Sequence, residues 1–165
     1  MERYLRLLIN VMIHWTCKHF NELNTAELYD ILELRSKVFV VEQNCVYQDM
    51  DYKDQQSWHL MGISNNQLVA YVRIIPPGIS YEDSSIGRVI THPYYRKKGY
   101  GIAMMQLAIK TTLEKFNVNI IRIGAQCYLL DFYQSLGFVV CSDEYLEDGI
   151  PHIEMRLTDH TANQL

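Results

Sequence analysis

The sequence predicts one α+β (mixed α/β) domain, a layered sheet of about six to seven strands with helices packed on it. Three observations carry that expectation. The 165 residues suffice for one domain of ordinary size. Runs with a period of two outnumber runs with helical spacing. One long, largely apolar helical stretch, residues 102–116, sits between strand-like segments.

The elements follow in order. Ile13, Trp15 and Cys17 alternate with His14, Thr16 and Lys18, as in a strand with one buried face. Asn24 with Glu27 three residues on is a capping box that opens a helix, continued by Leu28, Ile31, Leu32, Arg35 and Phe39, with Arg35 the polar exception on that face. Residues 42–57 carry Asp49, Asp51 and Asp54 without a clear period and read as a long loop containing at most a helical turn. Two strands, 58–64 and 68–75, flank Asn65-Asn66, residue types that tolerate left-handed backbone angles in a hairpin. After Pro76-Pro77-Gly78 a strand runs over 85–91. In the helix 102–116, Gln106, Lys110 and Glu114 fall four apart and its first half is otherwise apolar, so most of it is expected to be buried. A strand over 120–125, a short helix over 129–136 stopped by Gly137, a strand over 138–142, a turn at Glu147-Asp148-Gly149 and a strand over 153–157 complete the chain.

Composition narrows the function. A hydrophobic content of 48% and a charged content of 21% are those of a globular protein. The net charge of −4 argues against binding to nucleic acid or an acidic membrane over the whole surface, so neither is expected as a partner. Cys17, Cys45, Cys127 and Cys141 form no Cys-x-x-Cys pair and read as reduced thiols of a cytoplasmic protein. No segment approaches the roughly 20 apolar residues of a membrane span. Residues 1–11 lack a signal-peptide cleavage pattern and are expected to be an extension ahead of a domain over 12–160, with 161–165 a tail. The histidines show no metal-ligand spacing, so no metal is expected.

Chemistry concentrates where the strand 85–91 leads through Arg96-Lys97-Lys98-Gly99-Tyr100-Gly101 into the long helix. Glycines let the backbone approach a ligand, and the first helical turn adds unpaired N–H groups and a positive dipole end to three cations, a seat for a diphosphate. The bland alternative is a turn with a solvated basic cap. A Walker loop is excluded because no Gly-Lys pair exists, and a dinucleotide fingerprint fails because Met104 stands where the third glycine belongs.

This loop after Val89-Ile90-Thr91 resembles the acetyl-CoA pyrophosphate loop of the GNAT superfamily of N-acetyltransferases. Asp131-Phe132-Tyr133-Gln134-Ser135-Leu136-Gly137-Phe138 resembles its second signature, and one helix and one strand lie between the two. More narrowly, the run from Arg35 to Asp49, the region of Asp51, Asp54 and His59, Gly124-Ala125-Gln126, and the run from Glu147 to Met155 resemble the ElaA-like branch. The resemblance implies a central twisted, mostly antiparallel sheet with helices on both faces, and strands 87–91 and 120–125 splayed apart. It implies acetyl-CoA as acetyl donor, its pantetheine arm along Val89, Ile90 and Thr91, and its diphosphate at Arg96, Lys97, Lys98, Gly99, Tyr100 and Gly101. Gln126 is a further candidate for the arm. Lys97 stands where many members have glycine, a departure expected to cost little because the side chain can point to solvent. Gln126 and Leu129 replace the Asn and Ala often found ahead of the Phe-Tyr pair.

The implied activity is acetyl transfer to the primary amine of a small molecule or peptide by direct attack in a ternary complex. Tyr133 is expected to donate a proton to the departing thiolate, and Glu42, His59 and His152 are the candidate bases. Two alternatives stand beside it: a ping-pong acyltransferase through Cys127, and a CoA-binding regulatory or interaction module without turnover. Arg73 and Arg88 are expected to form internal ion pairs with Glu42 or an aspartate of the long loop, although a carboxylate-bearing substrate is another use for them. The acidic segment 42–54 is either a solvated loop or a hint of a cationic acceptor. A monomer or a homodimer fits the sequence equally.

Overall fold

The structure, a computed structural model, describes residues 12–159. The expected extension over 1–11 and tail over 161–165 lie outside the described residues, as does His160. Eight strands form one sheet: β1 (His14–His19), β2 (Trp58–Ser64), β3 (Gln67–Ile75), β4 (Ser84–Thr91), β5 (Ile120–Gln126), β6 (Val139–Val140), β7 (Tyr145–Glu147) and β8 (Ile150–Thr158). Their order is β1-β2-β3-β4-β5-β8-β6, with β7 also on β8. Every neighbouring pair is antiparallel except β4 and β5, which are parallel and joined through α2 (Tyr100–Phe116).

Local chemistry sets the elements. Asn24 Oδ1 accepts from the Glu27 N–H at 2.9 Å while Glu27 Oε2 accepts from the Asn24 N–H at 3.0 Å, and α1 (Thr25–Arg35) starts there. The helix does not stop at Arg35. It widens into a π-helical segment, Ser36–Glu42, in which Gln43 N–H reaches the Val38 carbonyl and Cys45 N–H that of Val40. Asn65 and Asn66 take φ of 49° and 59°, the backbone a tight hairpin turn requires. β7 escapes sequence reading because three residues are too few to show a period, and with β8 it forms a hairpin around Asp148-Gly149.

The two sheet faces bury different helices. Ile31, Leu34 and Val38 pack on Met61, Leu68, Tyr71 and Ile90. On the other face Met104, Met105 and Ala108 of α2 and Tyr133 of α3 (Leu130–Ser135) pack on Val72, Ile74, Ile86, Ile121, Phe138 and Met155. Each fully buried side chain of this size contributes about 1.5–3 kcal/mol. The buried stripe of α2 is narrower than expected: Ile102 and Ala103 are exposed, while Met104, Met105 and Ala108 face the core. No helix among the described residues is long and apolar enough to cross a membrane.

The loop between α1 and β2 is anchored rather than solvated. Arg35, with no exposed surface, donates to Asp49 at 2.8 Å and to Asp54 at 2.7 Å. Arg73 donates to Asp51 and Asp54 at 2.7 Å, and Arg88 to Asp49 at 2.8 Å. The expected partnership of Arg73 and Arg88 with aspartates of this loop is present. Glu42 pairs with Arg96 instead.

Candidate active site

The parallel pair β4–β5 is joined at only two positions, Ser84 to Ile121 and Ser85 to Arg122, reinforced by Ser84 Oγ on the Ile120 carbonyl at 2.8 Å. Beyond them the strands splay. On its other side β4 carries a bulge: Ile90 pairs with Tyr71 but Gly87 with Arg73, so two residues, Arg88 and Val89, oppose one. Arg88 has φ of 53° at this bulge, and its side chain is turned to Asp49. A cleft of about 710 Å³ occupies the splay.

Val89, Ile90, Thr91, Arg96, Gly101, Gln126 and Tyr133 line this cleft, along with Glu42 and His152. Lys97, Lys98, Gly99 and Tyr100 do not; they build the turn that delivers α2. Gly99 has φ of 81°, and a Cβ on Gly101 would sit 3.6 Å from Thr91 Oγ1 and 3.8 Å from the Phe132 ring, so bulk there fills the space at the helix start. Lys98 lies over the Tyr95 ring at 5.2 Å. Lys97 corrects an expectation: its φ is 61°, so the lysine is disfavoured by its backbone, wherever the side chain points. Arg96 is engaged, with Nε on the Thr91 carbonyl at 3.1 Å and both terminal nitrogens on Glu42. Gln126 exchanges amide hydrogen bonds with Gln43 at 3.1 and 3.3 Å across the mouth of the cleft. These residues fit a coenzyme's extended arm and diphosphate: an unpaired strand edge, a tight glycine corner and a helix start.

Tyr133, 6% exposed, is wedged edge-on between Phe132 and Phe138, and burial lifts its phenol well above the usual tyrosine range. The three candidate bases separate. His59 is fully buried and outside the cleft lining. Its Nδ1 accepts from the Tyr71 hydroxyl at 2.8 Å and its Nε2–H donates to the Asp54 carbonyl at 3.1 Å, so it serves the arginine–aspartate cluster. Glu42 has both oxygens on Arg96. His152 remains: Nδ1 lies 2.8 Å from the Ile150 carbonyl, which can only accept, so Nδ1 carries a hydrogen and, in the neutral ring, the lone pair is on Nε2. Cys127 is absent from the cleft lining, and desolvation and the carboxylate of Glu144 push its thiol up, away from the thiolate form a nucleophile needs.

Sequence reasoning missed the wall opposite β4. Gly124 is packed against two phenols: a Cβ there would lie 2.9 Å from the Tyr145 hydroxyl and 3.3 Å from that of Tyr81. A glycine inside a strand signals such an approach, but not what approaches. Tyr145 also stacks on His152, with ring centres 5.9 Å apart. Among the described residues no three His, Cys, Asp or Glu side chains are grouped to hold a metal ion.

Residues 25–159 match the family model described as an acetyltransferase (GNAT) domain. A UPF0039 protein of Schizosaccharomyces pombe is 46% identical over 147 residues, covering 88% of this chain and 97% of that protein. The crystal structure of Escherichia coli ElaA superposes with a TM-score of 0.83 at 41% identity, covering 88% of this chain and 99% of that one. A crystal structure described as an acyl-CoA N-acyltransferase from Pseudomonas aeruginosa gives a TM-score of 0.85 at 39% identity, covering 89% of this chain and 100% of that one.

Proposed function

The chain belongs to the GNAT acetyltransferase family, in its ElaA-like branch, and on that premise we propose that it moves an acetyl group from acetyl-CoA to a primary amine by direct attack in a ternary complex. The observation that carries the reading is the closure of β4 on β5 at two positions only. Past that closure the β4 edge facing β5 has no strand opposite it, and the amides of a pantetheine arm match such an edge. The glycine corner and the start of α2 receive the diphosphate. Bound acetyl-CoA supplies an activated acyl group.

The chain's own residues handle the protons. His152 Nε2 takes the ammonium proton, leaving a lone pair on the amine nitrogen. A backbone N–H of the run Val89, Ile90 and Thr91 polarises the thioester carbonyl. The C–N bond forms, the C–S bond breaks, and the sulfur takes a proton from the Tyr133 hydroxyl. The proton that the new amide nitrogen sheds restores Tyr133 through solvent. Burial disfavours the phenolate, so Tyr133 starts protonated and gives its proton to the sulfur as the proton shed by the amide nitrogen replaces it. The engaged carboxylate of Glu42 favours His152 as the base, and the position of Cys127 outside the cleft lining favours direct attack over a covalent route.

The test is thermal. Acetyl-CoA at 100 times its Kd stabilises a one-site protein by about 2.7 kcal/mol, a rise in Tm of several degrees. Gly101→Glu, which puts bulk and charge into the diphosphate seat, removes the rise. No rise with the unmutated protein overturns the reading. A rise without thiol release across a broad amine panel favours a CoA-binding module, and an acetyl adduct lost in Cys127→Ser favours the ping-pong route.

A further inference from the structure

The core side chains Ile121, Ile123 and Ala125 of β5 face α2, so Arg122, Gly124 and Gln126 face the opposite side of the sheet. On that side the cleft has two walls of opposite sign. On the β3–β4 wall, Arg35, Arg73 and Arg88 are matched by Asp49, Asp51 and Asp54. Lys53 is left over. Its Nζ rests on Ser80 Oγ at 3.2 Å, no carboxylate among the described residues pairs with it, and both residues line the cleft. Arg73, 2% exposed, also lines it, and its Nε–H is buried without an acceptor among the described residues. The cross-strand neighbour of Arg73 is Gly87, where even a Cβ would meet only Ile75 Cδ1 at 3.9 Å, so β4 sets no side chain opposite Arg73.

The β5–β7–β8 wall is negative. Glu147 and Asp148 line the cleft with His152. After burial itself, the neighbouring Tyr145 and then the carboxylates of Glu154 and Glu147 lift the phenol of Tyr81, and Glu147 and Glu154 lift that of Tyr145. Arg122 offsets part of it, 3.7 Å from Glu154 and over the Tyr81 ring at 5.5 Å.

We propose that the acceptor is a zwitterion, a short amine that also carries a carboxylate, as a free amino acid does. This rests on the acetyltransferase reading above. The carboxylate seats against Lys53 Nζ, Ser80 Oγ and the Arg73 Nε–H, while the ammonium faces Glu147, Asp148 and His152. A plain amine leaves the buried Arg73 N–H unpaired. A diamine sets its second cation against Lys53, on a wall whose aspartates are already engaged. Register fixes the scale. Gly87 and Gly124 each lie two residues past the Ser85–Arg122 pair, and His152 pairs with Gln126, two residues further on. The two ends of the site are therefore offset by about 7 Å along the strands, which suits a short molecule.

The experiment measures thiol release by the full chain with acetyl-CoA and matched acceptors: amino acids, their carboxamides, peptides and putrescine. At least one amino acid is expected to exceed its carboxamide in kcat/KM by about 10-fold or more, since a site built to bind a polar group rejects the analogue that lacks it. Lys53→Met is expected to cut that ratio to about 3-fold or less, chiefly through KM. Calorimetry of the CoA-loaded protein with N-acetyl amino acids gives a readout independent of turnover. A normal acetyl-CoA shift in Tm together with equal or better use of carboxamides, peptides or putrescine overturns this inference alone. So does a normal shift with neither turnover nor binding of any amino acid or its acetyl product. Loss of the acetyl-CoA shift overturns the acetyltransferase reading and this inference with it.

Discussion

Arg96 and Glu42 meet fork to fork, Nη1 on Oε1 at 2.7 Å and Nη2 on Oε2 at 3.0 Å, and so join the loop ahead of α2 to the end of the helical segment after α1. Both side chains are about two-fifths exposed, so the pair contributes about 0–1 kcal/mol to stability. Its importance lies in what it withholds from the diphosphate seat. Glu42→Gln is expected to shift Tm by no more than about 3 °C. By calorimetry it should tighten acetyl-CoA binding about 3- to 10-fold, because the freed guanidinium gains an anionic partner. Turnover at saturation should change less than about 3-fold, since the proton route does not pass through Glu42.

Arg35 behaves oppositely because it is inaccessible to water. It and Arg73 both donate to Asp54 Oδ1 at 2.7 Å, and Arg35 also holds Asp49. Arg35→Met leaves Asp49, Asp51 and Asp54 with only Arg73 and Arg88 to balance them in the interior and is expected to cost about 3–5 kcal/mol in denaturant titrations. Adding Asp49→Leu restores the balance of charge and should recover part of that loss, which identifies the uncompensated charge as its source.

Stability should fall with acid in two phases. Burial depresses His59, and the cations Arg35 and Arg73 add to this against the opposing pull of Asp54, so the folded protein prefers the neutral ring. That contribution is complete above the unfolded value near 6.5 and is lost as pH falls toward the lower folded value. Burial alone would raise Asp51 and Asp54, but Arg73 on the first, and Arg35 and Arg73 on the second, outweigh it and hold both below the usual carboxylate range. Their contribution is complete above about pH 4 and disappears below it. Melting curves should therefore be level above about pH 7, decline below about 6.5, and drop steeply below about 4. His59→Gln should shrink the upper phase and leave the lower one unchanged; what remains of the upper phase belongs to His92, which burial also depresses.

Lys97→Gly relieves a left-handed backbone angle. A gain of about 0.5–1 kcal/mol is expected, read as a Tm rise of a few degrees with the acetyl-CoA shift retained.

Tyr133→Phe keeps the ring between Phe132 and Phe138 and removes only the proton. A fall in kcat of about 100-fold with acetyl-CoA affinity unchanged is expected from paired kinetics and calorimetry.

Much of this architecture was legible in the residues. The capping box at Asn24, the Asn65-Asn66 turn and the four-residue spacing of Gln106, Lys110 and Glu114 are local signals, and each element stands close to where its signal put it. The glycine corner before α2 was equally local. Arg35 was harder, because a lone arginine on an apolar helix face gains its meaning from aspartates 14 and 19 residues away. His59 and His152 are indistinguishable as sequence; both are buried, and position relative to the cleft separates them, with one ring locked under the α1–β2 loop and the other at the cleft wall. Tyr81 and Tyr145 lie 64 positions apart and converge because β4 pairs with β5, β5 with β8 and β8 with β7.

The two-position closure makes the sheet a pair of ribbons, β1 to β4 and β5 to β8, meeting at one corner like the legs of a caliper. The spacer between the legs is α2, whose Met104, Met105 and Ala108 belong to a core that takes Val72 and Ile86 from one ribbon and Ile121, Phe138 and Met155 from the other. Girth beneath that helix thus sets how far the legs stand apart. Selection acting on methionines outside the cleft lining has a lever on the width of that gap.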